Sequence, residues 1–397
     1  MFSHRQLFLQ HIAQTSPAPM GLELEKAVGV SLYDKDGKPY LDLISGFAVS
    51  NIGHSNPAVI AAIKNQIDHY MHLMVYGEIV QAPQVKYAQK LTSFLPENLN
   101  TVYFTNSGAE ATEGAMKLAK RVTGRTKFIY FKNSYHGSTQ GALSLMGDEY
   151  YKQAFRPLLP DTEAFKYGDE TELEKIDERV AAVFIEPVQA ESGVSVPSIS
   201  YIQSLANQCK KMGVLLVADE AQTGFGRTGK LWGFENFGIV PDILLLAKAI
   251  GGGLPLGAFI SSYQNMQLLT HNPVLGHITT FGGHPVSCAA GLAAFDFLIE
   301  SNLIAEVEKK GTLFQEKLQH PAIKSFRRKG LMMAIQFASA EINQQIVHTA
   351  VANGLITDWF LFAPDCLRIC PPLIITEDEI KKACTVLLTV IDNNQSK

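Results

Sequence analysis

The chain has 397 residues, more than one small hydrophobic core accommodates, so two domains or one large domain with an appendage are expected. Its formal net charge is −4, which gives no overall electrostatic attraction to nucleic acid or to an anionic membrane. The longest apolar stretches contain Gly, Pro or charged residues and are too short to span a bilayer. Residues 1–19 lack the apolar segment and cleavage site of a signal peptide.

The cysteine and histidine spacings predict neither disulfides nor a metal site. The five cysteines form no CxxC pair and no even set, so reduced thiols and a cytoplasmic location are expected. His54, His69 and His72 have no metal-ligand spacing with acids or cysteines, and no metal is predicted.

The pattern along the chain predicts an α/β fold. Residues 28–44 alternate apolar and polar about an Asp-Gly turn and predict a hairpin, and two helical patterns follow between residues 57 and 95. Strands and helices then alternate, and several strands are almost entirely apolar, as is typical of a largely parallel sheet covered on both faces. The predicted strands are "TVYFT" (101–105), "KFIYF" (127–131), "VAAVFIE" (180–186), "VLLVAD" (214–219), "ILLLA" (243–247) and "LGAFIS" (256–261).

The C-terminal part has its own succession of helix, strand, helix, strand and helix. It predicts a second, smaller α/β domain that the N-terminal segment joins. The predicted division is residues 1–50 for that segment, 51–290 for the large domain and 291–397 for the small domain.

The carboxyl ends of the predicted strands carry the candidate site, because ligands of open α/β sheets bind at that edge. Ser107 and Gly108 open a helix after the first strand, and a helix N-terminus favours anions. Tyr135 follows the second strand, Asp219 ends "VLLVAD", and Lys248 follows "ILLLA". Taken singly, the lysine could be solvent-exposed, the aspartate a helix cap or ion-pair partner, and "NSGAEAT" an ordinary capped helix.

Together these groups suit a phosphorylated heteroaromatic aldehyde. The helix N-terminus would hold the phosphate, Lys248 would form a Schiff base with the aldehyde, and Asp219 would keep the ring nitrogen protonated. Tyr135 could stack on the ring. An apolar setting lowers the pKa of a lysine, which makes its amine available as a nucleophile.

Motifs along nearly the whole chain resemble those of the class III (ω-amino acid) aminotransferases, which are pyridoxal-phosphate enzymes of fold type I, and the acetylornithine/ornithine branch is most similar. The resemblance implies a large domain with a mostly parallel central sheet and a smaller α/β domain from both chain ends. The motifs are "YLDLISGFAVSNIGH", "TNSGAEATEGAMKLAKR", "YHGSTQGALS", "IEPVQAESGV", "LLVADEAQTGFGRTGK", "PDILLLAKAIGGGLPLGA", "TTFGGHP" and "LRICPPLIIT".

The resemblance implies the cofactor pyridoxal 5′-phosphate and assigns roles residue by residue. Lys248 is the Schiff-base lysine that also moves the proton between Cα and C4′, Asp219 pairs with the pyridine nitrogen, and Gln222 hydrogen-bonds near the ring oxygen. Thr280 reaches the phosphate of the neighbouring subunit, which makes a homodimer the smallest working unit. The implied cofactor-binding positions are Ser107, Gly108, Ala109, Tyr135, His136, Asp219, Gln222, Lys248 and Thr280.

The predicted substrate-binding positions are Arg368, Glu191, Phe47 and Ser138, and the resemblance assigns roles to the first two. Arg368 matches the arginine that binds the α-carboxylate of glutamate or 2-oxoglutarate, and Glu191 matches the acid that pairs with it when the other substrate is bound. An arginine fork suits a carboxylate, and an unpaired buried cation is unfavourable. A permanent surface ion pair is the alternative interpretation.

The sequence departs from the ornithine and acetylornithine pattern around the donor. Ser138 follows His-Gly where those enzymes have an arginine, Phe47 replaces a pocket tyrosine, and Thr15 stands for another tyrosine in a looser alignment. These changes remove groups that would bind a distal carboxylate. We therefore expect the donor to be an amine, a diamine or an amino acid whose remote end is held differently, with 2-oxoglutarate as acceptor; acetylornithine/ornithine aminotransferase proper is the alternative.

Other functions are weighed against this one. "GFGRTG" (224–229) matches GxGxxG and would suit a nucleotide-dependent oxidoreductase, but no strand directly precedes it and no helical run follows. A regulatory protein on the same fold is the non-enzymatic alternative, and mutases or decarboxylases share Lys248 and Asp219. The Glu191–Arg368 pair favours transfer.

The basic cluster "KSFRRKG" (324–330) is interpreted as a solvated entry to a strand rather than a nucleic-acid patch.

Overall fold

The computed structural model describes residues 2–74 and 77–395. The helices are α1 (His4–His11), α2 (Ser45–Ala48), α3 (Pro57–His69), α4 (Ala82–Thr92), α5 (Gly108–Thr123), α6 (Gln140–Ser144), α7 (Ile199–Met212), α8 (Tyr263–Gln267), α9 (Pro285–Glu300), α10 (Leu303–Lys317), α11 (Ala340–Ala352) and α12 (Glu377–Gln395). The strands are β1 (Leu24–Val28), β2 (Ser31–Asp34), β3 (Pro39–Asp42), β4 (Thr101–Thr105), β5 (Lys127–Phe131), β6 (Thr162–Phe165), β7 (Val180–Ile185), β8 (Leu215–Asp219), β9 (Ile243–Leu246), β10 (Gly257–Ser261), β11 (Ser325–Lys329), β12 (Met332–Gln336), β13 (Leu355–Ile356), β14 (Asp358–Phe360) and β15 (Ala363–Ile369).

A seven-stranded sheet forms the centre of the molecule, in the order β4-β10-β9-β8-β7-β5-β6. β10 runs antiparallel to both of its neighbours, and the remaining pairs are parallel. Every residue of β7 and β9 is buried, as expected for strands covered on both faces. The prediction of an α/β fold with a mostly parallel sheet is confirmed.

Local sequence signals explain the helix that matters most for the site. The Ser107 side chain accepts a hydrogen bond from the Glu110 amide and caps the start of α5, and Gly124 ends the helix in the left-handed conformation. Lys120 and Arg121 lie in the last turn, where they complement the helix dipole. These features fix the N-terminus of α5 at the carboxyl end of β4.

Two four-stranded sheets lie outside the central one, with the orders β1-β2-β3-β13 and β11-β12-β15-β14. β13 pairs in parallel with β3, so the two ends of the chain share a sheet. This pairing agrees with a small domain built from both chain ends, while the boundaries near residues 50 and 290 stay a prediction.

Several elements differ from the sequence-based expectations. β6, β13 and β14 were not predicted, because each has only two to four residues. The cluster "KSFRRKG" is not a solvated entry: Ser325–Lys329 is itself a half-buried strand. Its charges are used internally, since Arg327 donates to the Cys366 sulfur and Arg328 pairs with Glu308 at 2.6 Å.

Three general features bear on location and metals. The five cysteines are free and buried. Within residues 2–74 and 77–395, no single helix is long and apolar enough to cross a membrane; α9 and α10 pass together by length and composition, but they meet at 72°. The same residues contain no group of three or more His, Cys, Asp or Glu side chains arranged to hold a metal ion.

Candidate active site

The parallel strands bring the sequence-predicted residues to one edge of the central sheet. A cavity of about 700 Å³ opens there, between the N-terminus of α5 and the carboxyl ends of β8 and β9. Its lining includes Ser107, Gly108, Ala109, Tyr135, His136, Asp219 and Lys248. The structure therefore places together residues that are up to 141 positions apart in the chain.

Lys248 follows the fully buried strand β9 and has a left-handed backbone with φ of 57°. Its Nζ forms no ion pair within 4 Å among the described residues. Burial lowers the pKa of the Lys248 amine, although the charges of Glu191, Asp219 and Glu186 oppose that effect. The backbone of a non-glycine residue is strained in this region, and the strain coincides with the side chain that faces the cavity.

Asp219 forms a buried pair with His136. The His136 Nδ1 lies 2.7 Å from the Asp219 Oδ2, and the Ala221 amide donates to the other carboxylate oxygen at 3.0 Å. Burial alone lowers the pKa of His136, but the hydrogen bond and the negative charge of Asp219 outweigh it, and the pKa is raised. Nε2 of His136 is buried with no hydrogen-bond partner among the described residues.

The start of α5 meets the end of β9 at close range. A Cβ added to Gly108 would lie 3.0 Å from the Ala247 Cβ. At Gly137, where φ is 125°, it would lie 2.6 Å from the Ala109 Cβ. The two glycines allow the loops to approach the helix N-terminus, where the first amides have no partner within the helix. This edge of the cavity can bind an anion.

Glu191 and Arg368 form a bidentate ion pair beside Lys248. The guanidinium donates to the two carboxylate oxygens at 2.9 and 2.7 Å, and its carbon lies 4.9 Å from the Phe47 ring centre and 4.2 Å from that of Phe360. Burial raises the pKa of Glu191, but the charge and hydrogen bonds of Arg368 outweigh that effect and lower it to about 2. Both side chains are buried, so the alternative of a surface ion pair does not hold.

Gln222 lies beside the same ion pair. Its Nε2 donates to Glu191 at 3.0 Å. The predicted role of Gln222 near a ring oxygen stays a prediction.

A second cavity, of about 890 Å³, extends from Lys248 along this pair. Ser138 lies in its wall, and its hydroxyl is 3.1 Å from that of Tyr135. The lining comprises Thr15, Phe47, Tyr135, Ser138, Gln140, Leu143, Met146, Tyr151, Phe155, Glu191, Gln222, Lys248, Asp358, Trp359, Leu361 and Arg368. The three positions at which the sequence departs from the ornithine pattern, Thr15, Phe47 and Ser138, thus share one cavity.

Sequence reasoning missed two parts of this region. The first is the cavity wall formed by Tyr151, Phe155, Asp358 and Trp359. The signals were two aromatic runs, "EYYKQAF" for the first two residues and "TDWFLF", shortly before "LRICPPL", for the other two. Such a run is equally typical of a core strand, so only tertiary contacts distinguish the two.

The second missed element is Arg227 of "GFGRTG". This fully buried guanidinium donates to the Ser45 hydroxyl at 3.2 Å, to Asn51 Oδ1 at 2.5 Å and to the Pro371 carbonyl at 2.5 Å. It anchors the short segment α2 (Ser45–Ala48), which carries Phe47 and whose single turn is left-handed, with φ values from 44° to 66°. The motif that resembled a nucleotide loop is a structural anchor in this fold.

Thr280 does not line either cavity of its own chain. It is exposed within a strongly apolar surface segment: Val274, Leu275, Ile278 and Phe281 are 54 to 72% exposed. The His72 and Phe281 ring centres are 4.8 Å apart, which joins this segment to the exposed Met71, Leu73 and Met74. We call residues 71–74 and 274–281 the apolar surface patch.

The chain matches the family described as aminotransferase class III over residues 12–391. It is 39% identical to an acetylornithine aminotransferase of Methanopyrus kandleri over 90% of this chain and 91% of that protein. Among solved structures, the ornithine aminotransferase of Toxoplasma gondii superposes with a TM-score of 0.90 at 30% identity, over 98% of this chain and 94% of that one. A PLP-bound amine transaminase from an uncultivated Pseudomonas species superposes with a TM-score of 0.89 at 29% identity, over 96% and 98%.

Proposed function

Because this chain belongs to the class III aminotransferases, which transfer amino groups with pyridoxal 5′-phosphate, we propose that it moves an amino group from an amine or diamine to 2-oxoglutarate. The observation that carries the proposal is the 890 Å³ cavity, where Lys248 and the Glu191–Arg368 pair face a wall without the arginine and tyrosines of the ornithine pattern. Acetylornithine/ornithine aminotransferase proper remains the second candidate, favoured by the 39% identity to such an enzyme.

The residues of the smaller cavity fit this cofactor. The orphaned amides at the start of α5, with Ser107, Gly108 and Ala109, suit a phosphate, and the buried Asp219 carboxylate suits a protonated pyridine nitrogen. Tyr135 lies in the same lining and suits stacking on a ring. Burial lowers the pKa of Lys248, which suits covalent attachment through Nζ. We propose that role for Lys248, with Asp219 at the ring nitrogen. Bound there, the cofactor supplies an electron sink for the carbanion formed at the substrate Cα.

This chain's own groups would divide the remaining work. Lys248 Nζ, freed when the substrate amine takes its place, would carry the proton between the substrate Cα and the cofactor C4′. Its burial favours the neutral amine that such a base needs. The hydrogen bond between His136 and Asp219 would hold the carboxylate in position. Gln222 steadies Glu191 through the 3.0 Å hydrogen bond.

The Glu191–Arg368 pair would allow one cavity to accept two different substrates. When 2-oxoglutarate enters, Arg368 would release Glu191 and bind the α-carboxylate bidentately. When a donor without a carboxylate enters, the pair remains closed, so no buried charge is left unpaired. We propose the closed pair as the donor-binding state.

We propose a homodimer as the working unit and the cytoplasm as its location. The apolar surface patch beside Thr280 supports the dimer, since large exposed apolar patches commonly mark interfaces. Thr280 would then reach the phosphate bound by the neighbouring subunit. Five free buried cysteines support a reducing compartment.

A donor screen tests the proposed function. Holoenzyme is incubated with 2-oxoglutarate and, in turn, with ornithine, N-acetylornithine, alkylamines, diamines and ω-amino acids, and glutamate is measured. We expect efficient turnover of an amine or diamine and at least about tenfold lower kcat/KM for both ornithine compounds, since each lost charge-assisted contact is worth about that factor. Efficient turnover of either ornithine compound would contradict the proposed donor class.

A further inference from the structure

Asp358 is a carboxylate in the cavity wall to which neither the sequence pattern nor the family resemblance assigns a role. It begins β14 and lies directly opposite Arg368 in the antiparallel pair β14–β15. Residues directly opposite each other project from the same face of a sheet. Asp358 therefore faces the same cavity as Arg368, and it contributes to the lining.

Arg368 forms no ion pair with Asp358: its positive charge lowers the pKa of Asp358, but burial outweighs that effect, and the guanidinium already has other partners. It donates to both oxygens of Glu191 and, at 3.2 Å, to the Trp359 carbonyl. Within the described part of the chain Asp358 has no ion pair, and its Oδ1 accepts from the adjacent Trp359 amide at 2.8 Å. The group of Glu191, Asp358 and Arg368 thus carries one excess negative charge while the pair is closed.

The surroundings of Asp358 increase the effect of that charge. Burial raises the pKa of Asp358, which means that its ionised form is poorly solvated and would gain from a cation. The wall also carries Phe47, Tyr151, Phe155 and Trp359, and aromatic faces attract ammonium groups. The lining has two cationic side chains, Arg368 and Lys248. Arg368 is paired with Glu191, and Lys248 is the proposed attachment point of the cofactor. A distal carboxylate would meet repulsion here, whereas a distal ammonium would meet attraction.

We propose that the amino donor is an α,ω-diamine and that Asp358 binds the ammonium at its non-reacting end. This inference rests on the proposed function and specifies its substrate class. One amine reacts at the cofactor beside Lys248, and the other stays protonated between the Asp358 carboxylate and the aromatic wall. Glu191 and Arg368 remain paired, so the donor half-reaction needs no rearrangement of the switch.

The test compares unbranched diamines of three to six carbons with n-alkylamines of the same lengths. Holoenzyme, the Asp358→Asn variant and the control Asp378→Asn are assayed with 2-oxoglutarate; Asp378 carries the same charge on the exposed start of α12. In Asp358→Asn, kcat/KM for the best diamine is expected to fall about 10–100-fold, mainly through KM, as for loss of one charge-assisted contact. Alkylamines and the control variant should change less than about twofold.

A third variant examines the geometry. Asp358→Glu keeps the charge and extends the side chain by one methylene, so the preferred diamine should become one carbon shorter. This shift in length preference is a result that a purely structural role of Asp358 would not produce.

The possible results separate the two levels of the proposal. If the unaltered enzyme uses alkylamines as well as diamines, or if Asp358→Asn lowers both equally, Asp358 is not an ammonium site although the transaminase proposal stands. If no amine or diamine yields glutamate, the proposed donor class fails and this inference fails with it. Diamine preference that disappears in Asp358→Asn alone supports both.

Discussion

The guanidinium of Arg368 donates to both carboxylate oxygens of Glu191, at 2.9 and 2.7 Å, and its carbon lies 4.9 Å from the Phe47 ring centre and 4.2 Å from that of Phe360. The two aromatic rings thus pack against the same guanidinium that pairs with Glu191. Phe47 contributes both to these contacts and to the lining of the 890 Å³ cavity.

Glu191→Gln should affect the two half-reactions differently. The variant leaves Arg368 without an anion when an amine donor is bound. The half-reaction in which the amine passes its amino group to the cofactor should therefore slow about tenfold or more. The half-reaction with 2-oxoglutarate should be unaffected or show a lower KM, because the substrate no longer competes with Glu191. Stopped-flow absorbance of the bound cofactor measures the rate of each half-reaction separately. Glu149→Gln, in an exposed pair with Arg156, is the control, and equal slowing of both half-reactions would argue against a switch.

The same pair makes a defined contribution to acid stability. Arg368 holds the pKa of Glu191 at about 2, below its ordinary 4.5. The native state then binds fewer protons than the unfolded state, so the stabilisation is complete above pH 4.5 and is lost as the pH falls from 4.5 to 2. Its size is roughly 3 kcal/mol, since each pH unit of difference is worth about 1.4 kcal/mol. Urea unfolding of the parent and Glu191→Gln at several pH values should show their difference shrinking over that window; a constant difference would contradict the assignment.

Lys248→Ala should abolish transfer without abolishing cofactor binding. The phosphate and ring contacts remain, so pyridoxal phosphate should still bind. Borohydride should no longer attach it covalently to the protein, because the lysine that forms the imine is absent. The rate of amine consumption should fall at least about 10³-fold, within the range for loss of a general base. Mass spectrometry after borohydride and a glutamate assay check the two halves of this prediction. Lys230→Ala, at an exposed position, is the matched control.

Ile278→Asp should dissociate the proposed homodimer and lower activity. Ile278 is 61% exposed in the apolar surface patch, and a two-fold interface would use it twice. Burying a carboxylate there without a partner is costly. Sedimentation equilibrium should show monomers, with loss of bound cofactor if Thr280 serves the neighbouring phosphate. Val240→Asp, 50% exposed in another part of the surface, should change neither measurement.

The amino-acid sequence was sufficient to predict six of the seven strands of the central sheet, all except β6, and the residues at the carboxyl ends of those strands. Apolar runs such as residues 180–186 and 243–247 have the period and length of buried strands, and parallel strands place their carboxyl ends together whatever the details of packing. Lys248, Asp219 and the start of α5 could therefore be brought into one site before any coordinates. Most strand limits agree with the predicted ones to within a residue, because Gly, Pro and polar residues interrupt the apolar runs locally.

Only the tertiary structure decided what covers that site. Asp358 and Arg368 become neighbours through the β14–β15 pairing, and Arg227 meets Ser45 and Pro371 across 182 and 144 positions of the chain. These contacts depend on how short strands and irregular turns pack against one another, and such elements are too brief to leave a periodic signal in the sequence. The residues at the carboxyl ends of the strands and at the start of α5 could thus be read from short local segments of sequence. The residues that line the 890 Å³ cavity come together only through long-range packing.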